Sequence, residues 1–455
     1  MQTIFAQRAR TDAGWQRNVR VSHKNGKITA IETDVTPQQG DIMVDVLLPA
    51  LANLHSHSFQ RAMAGMTEVR AAGRDSFWTW RTLMYQFMQN VTPEQYQAIA
   101  ALVFMEMQEA GYASVGEFHY VHHQNGGGRF DQVSELSQRV FSAADQTGIG
   151  LTHLPVLYSY GGAGRADLSG GQMRFGNSVA QFADLVGEAR AVAEATLPAD
   201  TRVGIAPHSL RATCPEDLAE VLPVAAGNPI HIHISEQPKE VEDIQSWLGA
   251  RPVEWLLENA PVDSNWCLIH ATHMTASETR DMARSGAVAG LCPITEANLG
   301  DGPFNGPAYL EEGGAFGLGS DSNVCISLTE ELRMLEYSQR LRDISRNVMI
   351  PGEGSVGEVL YMGSATGGAT AVGRNSGAIA VGKFADLVAI DSADPALVAL
   401  RDDQLLDGLC FAAKDRVVTD LWSAGRHQVQ NGQHVARAEI TANYGVAIKS
   451  LLASI

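Results

Sequence analysis

Cysteine is scarce in this chain, and its placement matters as much as its number. The five residues Cys214, Cys267, Cys292, Cys325 and Cys410 lie far apart, and none forms a C-x-x-C pair. That excludes a disulfide framework and a cysteine-built zinc site. Positive charge is also short, since 33 Lys+Arg against 51 Asp+Glu leave a net charge of −18. So acidic a surface repels phosphate backbones, and nucleic acid and anionic membrane are poor partners. An anionic substrate would need a local cationic pocket working against the global field. No apolar run approaches the length of a membrane span. The first residues, MQTIFAQRARTD, lack the charged-then-apolar order of a signal peptide, and the expected location is the cytoplasm. There is no Walker lysine motif and no H-E-x-x-H. Gly161-Gly162-Ala163-Gly164 lacks the strand–helix setting of a dinucleotide fingerprint.

What is present is ordinary globular material, 45% hydrophobic and 18% charged over 455 residues. From about residue 45 to 325 one unit recurs: a short apolar run, a loop, then a stretch of helical periodicity. The runs are 47–57, 112–120, 150–158, 202–209, 229–236, 266–272, 287–294 and 315–322, with amphipathic stretches such as 93–110, 132–147, 177–196 and 329–343 between them. Eight strands alternating with helices predict a (β/α)8 TIM barrel. A doubly wound sheet is the competing fold. Chemistry-bearing residues at the ends of nearly all the runs favour the barrel. Residues 1–45 and roughly 375–440 are instead short alternating segments with N-G and A-G turns. The expected organisation is α/β, with a catalytic barrel over 46–374 and a small discontinuous β domain built from both termini, 1–45 plus 375–455.

The strongest local signal is His55-Ser56-His57 at the end of the first run. Residues i and i+2 of a strand share a face, so both imidazoles point into the barrel mouth. Two convergent neutral imidazoles are half of a Zn²⁺ or Fe²⁺ site. His231-Ile232-His233-Ile234-Ser235-Glu236 carries two more on one face. His233 lies nearer the strand's end and is the candidate ligand, while His231 sits deeper as a hydrogen-bonded core residue. Asp321 in GLGSDSN is placed either to ligate a metal or to accept a proton, although an Asp after Gly-Ser is also a common turn residue. The fourth run ends in Ala206-Pro207-His208-Ser209 without the lysine that bridges two-metal sites in such barrels. A single metal is therefore expected.

Taken together, LHSHSFQRAMAG, GYASVGEFHYVHH, APHSLRA, HISEQPKEV, LCPITEANLGDG, GSDSN and GKFADLVAI resemble the mononuclear, deaminase-like branch of the amidohydrolase superfamily over nearly the whole chain. Within that branch they look closest to the members that deiminate N-formimidoyl-L-glutamate in histidine degradation. Asn298-Leu299-Gly300 and Asp321-Ser322-Asn323 depart from the general branch pattern but fit that subgroup. The resemblance implies one divalent ion, zinc with iron(II) as the alternative, held by His55, His57, His233 and Asp321. It implies a catalytic set of Glu236, His270 and Asp321, with His270 helping to activate water and Glu236 shuttling the proton. It places Gln60, Arg81, Tyr120, His208 and Arg211 around a small amino-acid-derived dicarboxylate. A homodimer is the expected assembly.

The residue chemistry agrees with that implication. Imidazole titrates near the working pH and can take a proton from water. His273, three residues beyond His270, is the decoy for that role. A glutamate can pair with a cationic formiminium and then protonate the departing nitrogen. Arginine offers paired donors that match a carboxylate. Arg61, Arg70 and Arg74 are expected to be solvated, and Phe77, Trp78 and Trp80 to be packing residues. Two other readings remain: a deaminase of a nucleobase or other aminated heterocycle, and a barrel scaffold that has lost catalysis. The first has no reason to hold two arginines. The second does not account for six retained site residues.

Overall fold

The computed structural model of the protein describes residues 2–68 and 77–454. Its centre is a ring of parallel strands: β1 (Leu51–Ser56), β2 (Tyr112–His119), β3 (Gly150–Leu157), β4 (the short segments Arg202–Val203 and Ala206–Pro207), β5 (Ile230–Ile234), β6 (Trp266–His270), β7 (Val288–Leu291) and β8 (Ala315–Leu318). Pairing is continuous from β1 to β4 and from β5 to β8. The bridges Ile205–Ile230 and Ser209–His233 join β4 to β5, and Ser56–Asp321 joins the ends of β1 and β8. The ring therefore closes as the barrel expected from the strand–helix alternation, and the doubly wound alternative falls. β2 and β3 are buried along their whole length. This is why they read as unbroken apolar runs rather than as alternating ones.

The helices follow the predicted stretches closely, at Pro93–Ala110, Glu135–Thr147, Val179–Thr196 and Leu328–Asp343. The first begins at a reciprocal cap between Thr92 and Gln95 and stops at Gly111, whose φ of 111° suits a residue without a Cβ. A further helix, Val356–Ala371, lies against β8 and β1. It fits there only because Gly367 has no side chain, since a Cβ at that position would fall 1.9 Å from the Phe316 carbonyl oxygen.

A second, eight-stranded sheet is shared by the two ends of the chain. Its central contact is antiparallel, Ile42–Pro49 against Leu387–Ile390, with Leu387 opposite Pro49. Around this pair lie Gln2–Thr11, Gly14–Lys24 and Lys27–Glu32 on one side, and Val418–Ser423, Arg426–Gln430 and Gln433–His434 on the other. The last hairpin turns at Asn431 and Gly432, with φ of 53° and 76°, the left-handed pair that a two-residue turn requires.

Two local readings change. The run 47–57 is not one strand, because Ile42–Pro49 belongs to the outer sheet and β1 starts only at Leu51. The break is pinned at Ala50, whose N–H donates to the Asp386 carbonyl (3.0 Å). The stretch 375–440 is also not strands alone. It contains a helix, Asp403–Phe411, that buries Leu405, Leu406, Leu409 and Cys410. The chain then ends in another helix, Arg437–Leu452. Among the described residues no helix is long and apolar enough to cross a membrane.

Candidate active site

The C-terminal ends of the barrel strands converge on one cavity. His55 and His57 leave β1, His233 ends β5 and Asp321 follows β8. Each offers one donor atom, all four within 4.8 Å of one another. His57 donates from Nδ1 to the Phe118 carbonyl (2.9 Å), and His233 donates from Nδ1 to the His208 carbonyl (3.0 Å). Their Nε2 lone pairs are thereby turned inward. His55 Nε2 lies 3.1 Å from His233 Nε2 and 3.3 Å from Asp321 Oδ1, and His57 Nε2 is also 3.3 Å from that oxygen. Burial pushes the His55 imidazole down to about 3 and also lowers His57 and His233. Neutral rings are the form that ligates. Lone pairs crowded this closely repel one another unless a cation sits between them, so the donor set fits a divalent ion of the zinc or iron(II) kind.

Beside this cluster stand the groups able to move protons. His270 Nε2 lies 3.8 Å from Glu236 Oε1 and 3.8 Å from Asp321 Oδ2, and its Nδ1 lies 3.3 Å from Glu296 Oε1. Burial alone would lower His270, but the carboxylates of Glu236, Glu296 and Asp321 outweigh it and push the imidazole up to about 10. A divalent ion next door would push it back down. Burial raises Glu236 to about 7, against the opposing pull of His270 and Arg211. An acid poised there can both give and take a proton at neutral pH.

The backbone is strained where these groups emerge. Ser235, His270, Ala271, Asp321 and Asn323 all have positive φ, between 46° and 67°. Such geometry costs of order 1–3 kcal/mol per residue and persists only where the surroundings enforce it. Gly319 permits a close approach of this turn to β1, because a Cβ there would lie 2.8 Å from both the Cβ and the carbonyl oxygen of His55.

The cavity wall facing the donor cluster is lined by Gln60, Arg81, Tyr120, His208 and Arg211, together with Glu236, His270 and Asp321. Every residue assigned to the site from sequence therefore lies at this cavity or in the donor cluster behind it. Gln60 Nε2 donates to the Tyr120 hydroxyl (2.8 Å), while its buried Oε1 has no partner. Arg81 donates to the hydroxyls of Tyr85 and Tyr158. Arg211 is buried between Glu236 Oε2 (3.7 Å) and Glu240 Oε2 (3.9 Å). His231 lies deeper, its Nε2 donating to the Ala371 carbonyl (2.8 Å), as its position in β5 predicts. His273 is not among the cavity-lining residues described.

Several members of the site escaped the sequence reading. Tyr85, Tyr158, Met84 and Phe175 line the pocket, yet an aromatic or methionine carries no spacing signal that separates pocket from core. Glu240 and Glu296 support the site through residues remote in sequence or through backbone N–H groups. Trp80, expected to be a packing residue, lines the cavity. Arg61 is not solvated as expected. It pairs with Glu106 (2.9 Å) and donates to the carbonyls of Asn323 and Val324, tying the segment after β1 to the loop after β8. Arg70 and Arg74 lie outside the described residues, as do the side chains of Phe77 and Trp78. A second grouping, His270, Cys292 and Asp321, also brings potential donor atoms within 4.8 Å.

A closed barrel with histidine and aspartate donors at its mouth defines a class, and comparison with known proteins agrees. The amidohydrolase family model matches residues 46–427, and the chain belongs to that family. Residues 1–43 match the family model described as Formimidoylglutamate deiminase HutF, N-terminal domain. The chain is 48% identical to the formimidoylglutamate deiminase of Pseudomonas aeruginosa, over 95% of this chain and 96% of that protein. A 5-methylthioadenosine/S-adenosylhomocysteine deaminase of Natronomonas pharaonis is 26% identical, over 91% of this chain and 87% of that one. Among solved structures, an amidohydrolase from Brucella melitensis is 45% identical with a TM-score of 0.95, covering 99% of this chain and 100% of that one. An adenosine deaminase from Xanthomonas campestris with bound zinc shares the fold, with a TM-score of 0.82 at 20% identity, over 99% of this chain and 98% of that one.

Proposed function

We propose that the chain hydrolyses N-formimidoyl-L-glutamate to N-formyl-L-glutamate and ammonia, using one divalent ion, zinc with iron(II) as the alternative. The observation that carries this reading is the placement of two arginines in the same buried cavity as the His55, His57, His233 and Asp321 donors. The similarity to the Pseudomonas aeruginosa deiminase supports it. When bound, the ion lowers the pKa of a water from about 15.7 toward ~7, which supplies a nucleophile at neutral pH. The residues of the chain do the rest. Arg81 and Arg211 hold the two carboxylates and so fix the formimidoyl carbon over the donor cluster. Arg211 neighbours Glu236, so it suits the carboxylate nearer the reacting carbon, and Arg81 the farther one. Gln60, Tyr120 and His208 supply neutral contacts to the amino-acid part. His270 and Asp321 orient the water, and His270 Nε2 takes its proton. As His270 takes that proton the water oxygen bonds to the carbon of the formiminium cation. Glu236 then passes a proton to the terminal nitrogen as the bond from that nitrogen to carbon breaks. Ammonia leaves, and the carbinol hydroxyl returns a proton to Glu236 as the formyl C=O forms.

Ammonia release on a substrate panel, with metal counted per chain, tests this. N-formimidoyl-L-glutamate should be consumed, its analogue lacking the side-chain carboxylate much more slowly, and adenosine and cytosine not at all. About one ion should remain per active chain. Turnover of a heterocycle without turnover of N-formimidoyl-L-glutamate would move the chain to the aminated-heterocycle reading. Two tightly held ions would overturn the single-metal assignment and point to His270 and Cys292 as further ligands.

A further inference from the structure

Glu296 sits in the stretch LCPITEANLGDG, yet it has no part in the chemistry above. It is 5% exposed, and a carboxylate buried that deeply persists only when donors satisfy it. Its Oε1 accepts two. One is the backbone N–H of Cys292 (3.0 Å), just before the short helix Pro293–Leu299. The other is His270 Nδ1 (3.3 Å). A carboxylate oxygen only accepts, so in the neutral imidazole this contact puts the His270 proton on Nδ1. It leaves the Nε2 lone pair facing the cavity, where Nε2 has no hydrogen-bond partner and stands 3.8 Å from both Glu236 and Asp321. His270 also carries a φ of 67° and Ala271 one of 46°, so the strained backbone does not hold the ring unaided.

We propose that Glu296 is a positioning residue for the deimination: it fixes the tautomer and direction of His270 so that Nε2 meets the water as a base. The inference rests on the proposed function for its kinetic consequence and on geometry alone for the tautomer. A carboxylate that orients a basic imidazole through Nδ1 leaves the opposite nitrogen free to act, the relationship found wherever a histidine base has a third partner. The competing account is that Glu296 merely caps the helix after β7. A cap would cost stability when removed and leave the tautomer of His270 and its share of the rate unchanged.

The test compares Glu296→Ala, Glu296→Gln, His270→Asn and the double variant His270→Asn/Glu296→Ala. Loss of an outer partner of this kind typically costs roughly 10–100-fold in activity. Glu296→Ala should lower kcat by that order, with KM changing less than about threefold and the metal content per chain unchanged. Glu296→Gln keeps an acceptor oxygen for both donors and should recover part of kcat. On the His270→Asn background the alanine substitution should add no further loss. In zinc-loaded protein carrying ¹⁵N-labelled histidine, where the neighbouring cation lowers His270, the ring should report a protonated Nδ1 in the wild type and a mixture of tautomers in Glu296→Ala. Wild-type kcat and wild-type tautomer in Glu296→Ala would overturn the proposal, as would an equal loss on both backgrounds. If wild type releases no ammonia from N-formimidoyl-L-glutamate, the functional reading fails, and the nitrogen spectra still decide the role of Glu296.

Discussion

Arg81 and Arg211 are both proposed carboxylate partners. Among the described residues Arg81 donates to the hydroxyls of Tyr85 and Tyr158. Truncating one partner of a buried, hydrogen-bonded charge pair costs about 2–5 kcal/mol. At about 1.4 kcal/mol per tenfold, kcat/KM of Arg81→Met for N-formimidoyl-L-glutamate should fall by roughly 30- to several-thousand-fold, with fold and metal retained. Arg211 stands between Glu236 and Glu240, so Arg211→Met also leaves two buried carboxylates without their cation. The same kinetic loss should then come with a lower Tm. Steady-state kinetics and thermal melts on the two variants check this. Wild-type kinetics in both would make the arginines structural. Histidine spacing made the convergence of His55 and His57 readable from sequence, because i and i+2 on a strand must share a face. Glu240, Glu296 and Tyr158 were not readable, because their roles arise from contacts between different strands' loops.

At the level of the strand, the site depends on how closely β8 approaches β1. Gly319 follows β8 in GLGSDS, and its Cα packs against the backbone of His55. Gly319→Ala would set a methyl group 2.8 Å from the His55 carbonyl oxygen and 2.9 Å from its nitrogen, and backbone atoms cannot swing aside as side chains can. The expected outcome is a shift of the Ser320–Asp321 turn away from β1. Overpacking of this kind costs about 1–3 kcal/mol, and here it should also weaken metal retention, because Asp321 moves relative to His55. Calorimetry and metal analysis after dialysis check it, and a variant with wild-type Tm and full metal would sink the idea. Glycines in a strand announce close approach in general terms. Which backbone approaches, and that it belongs to a metal donor, emerges only when β8 closes on β1.

For the molecule as a whole, the joint between barrel and outer sheet is a buried ionic cluster. Arg374, just beyond the helix Val356–Ala371, donates to Asp386 Oδ2 (2.6 Å) and to Asp200 Oδ2 (2.8 Å), and Arg426 of the outer sheet pairs with Asp200 through Oδ1 and Oδ2 (2.8 Å each). Burial alone would raise the Asp200 carboxyl, but the two guanidinium groups outweigh it and hold it down at about 2, against an ordinary 3.8. A folded pKa below the unfolded value stabilises the native state above the unfolded pKa, and that contribution is lost as pH falls from about 4 through about 2. The shift corresponds to about 2 kcal/mol. Asp200→Asn should therefore lower stability at pH 7, and its stability should fall less steeply than wild type between pH 4 and 2. Denaturant unfolding across that range, on metal-free protein so that histidine release does not contribute, checks the slope. Parallel slopes for the two proteins would remove Asp200 from the acid response.

The sequence by itself determined the strand–helix alternation, the shared face of His55 and His57 and the sharing of the β-rich ends. Each rests on a local period or spacing: two along a strand, 3.6 along a helix, and turn residues with positive φ such as Asn431-Gly432. The two arginines that the proposed substrate needs came from the family resemblance, Arg211 in the loop after β4 and Arg81 in the long connection after β1. Only the tertiary structure decided that the first apolar run divides at Ala50, that Arg61 serves as a tie between two loops, and that Asp403–Phe411 is helical. It alone decided which carboxylate stands behind which imidazole or guanidinium. The physical reason is the same in each case. Period and spacing act between neighbours along the chain, whereas Glu296 meets His270, and Arg374 meets Asp200, only after closure of the barrel brings distant segments within hydrogen-bonding reach.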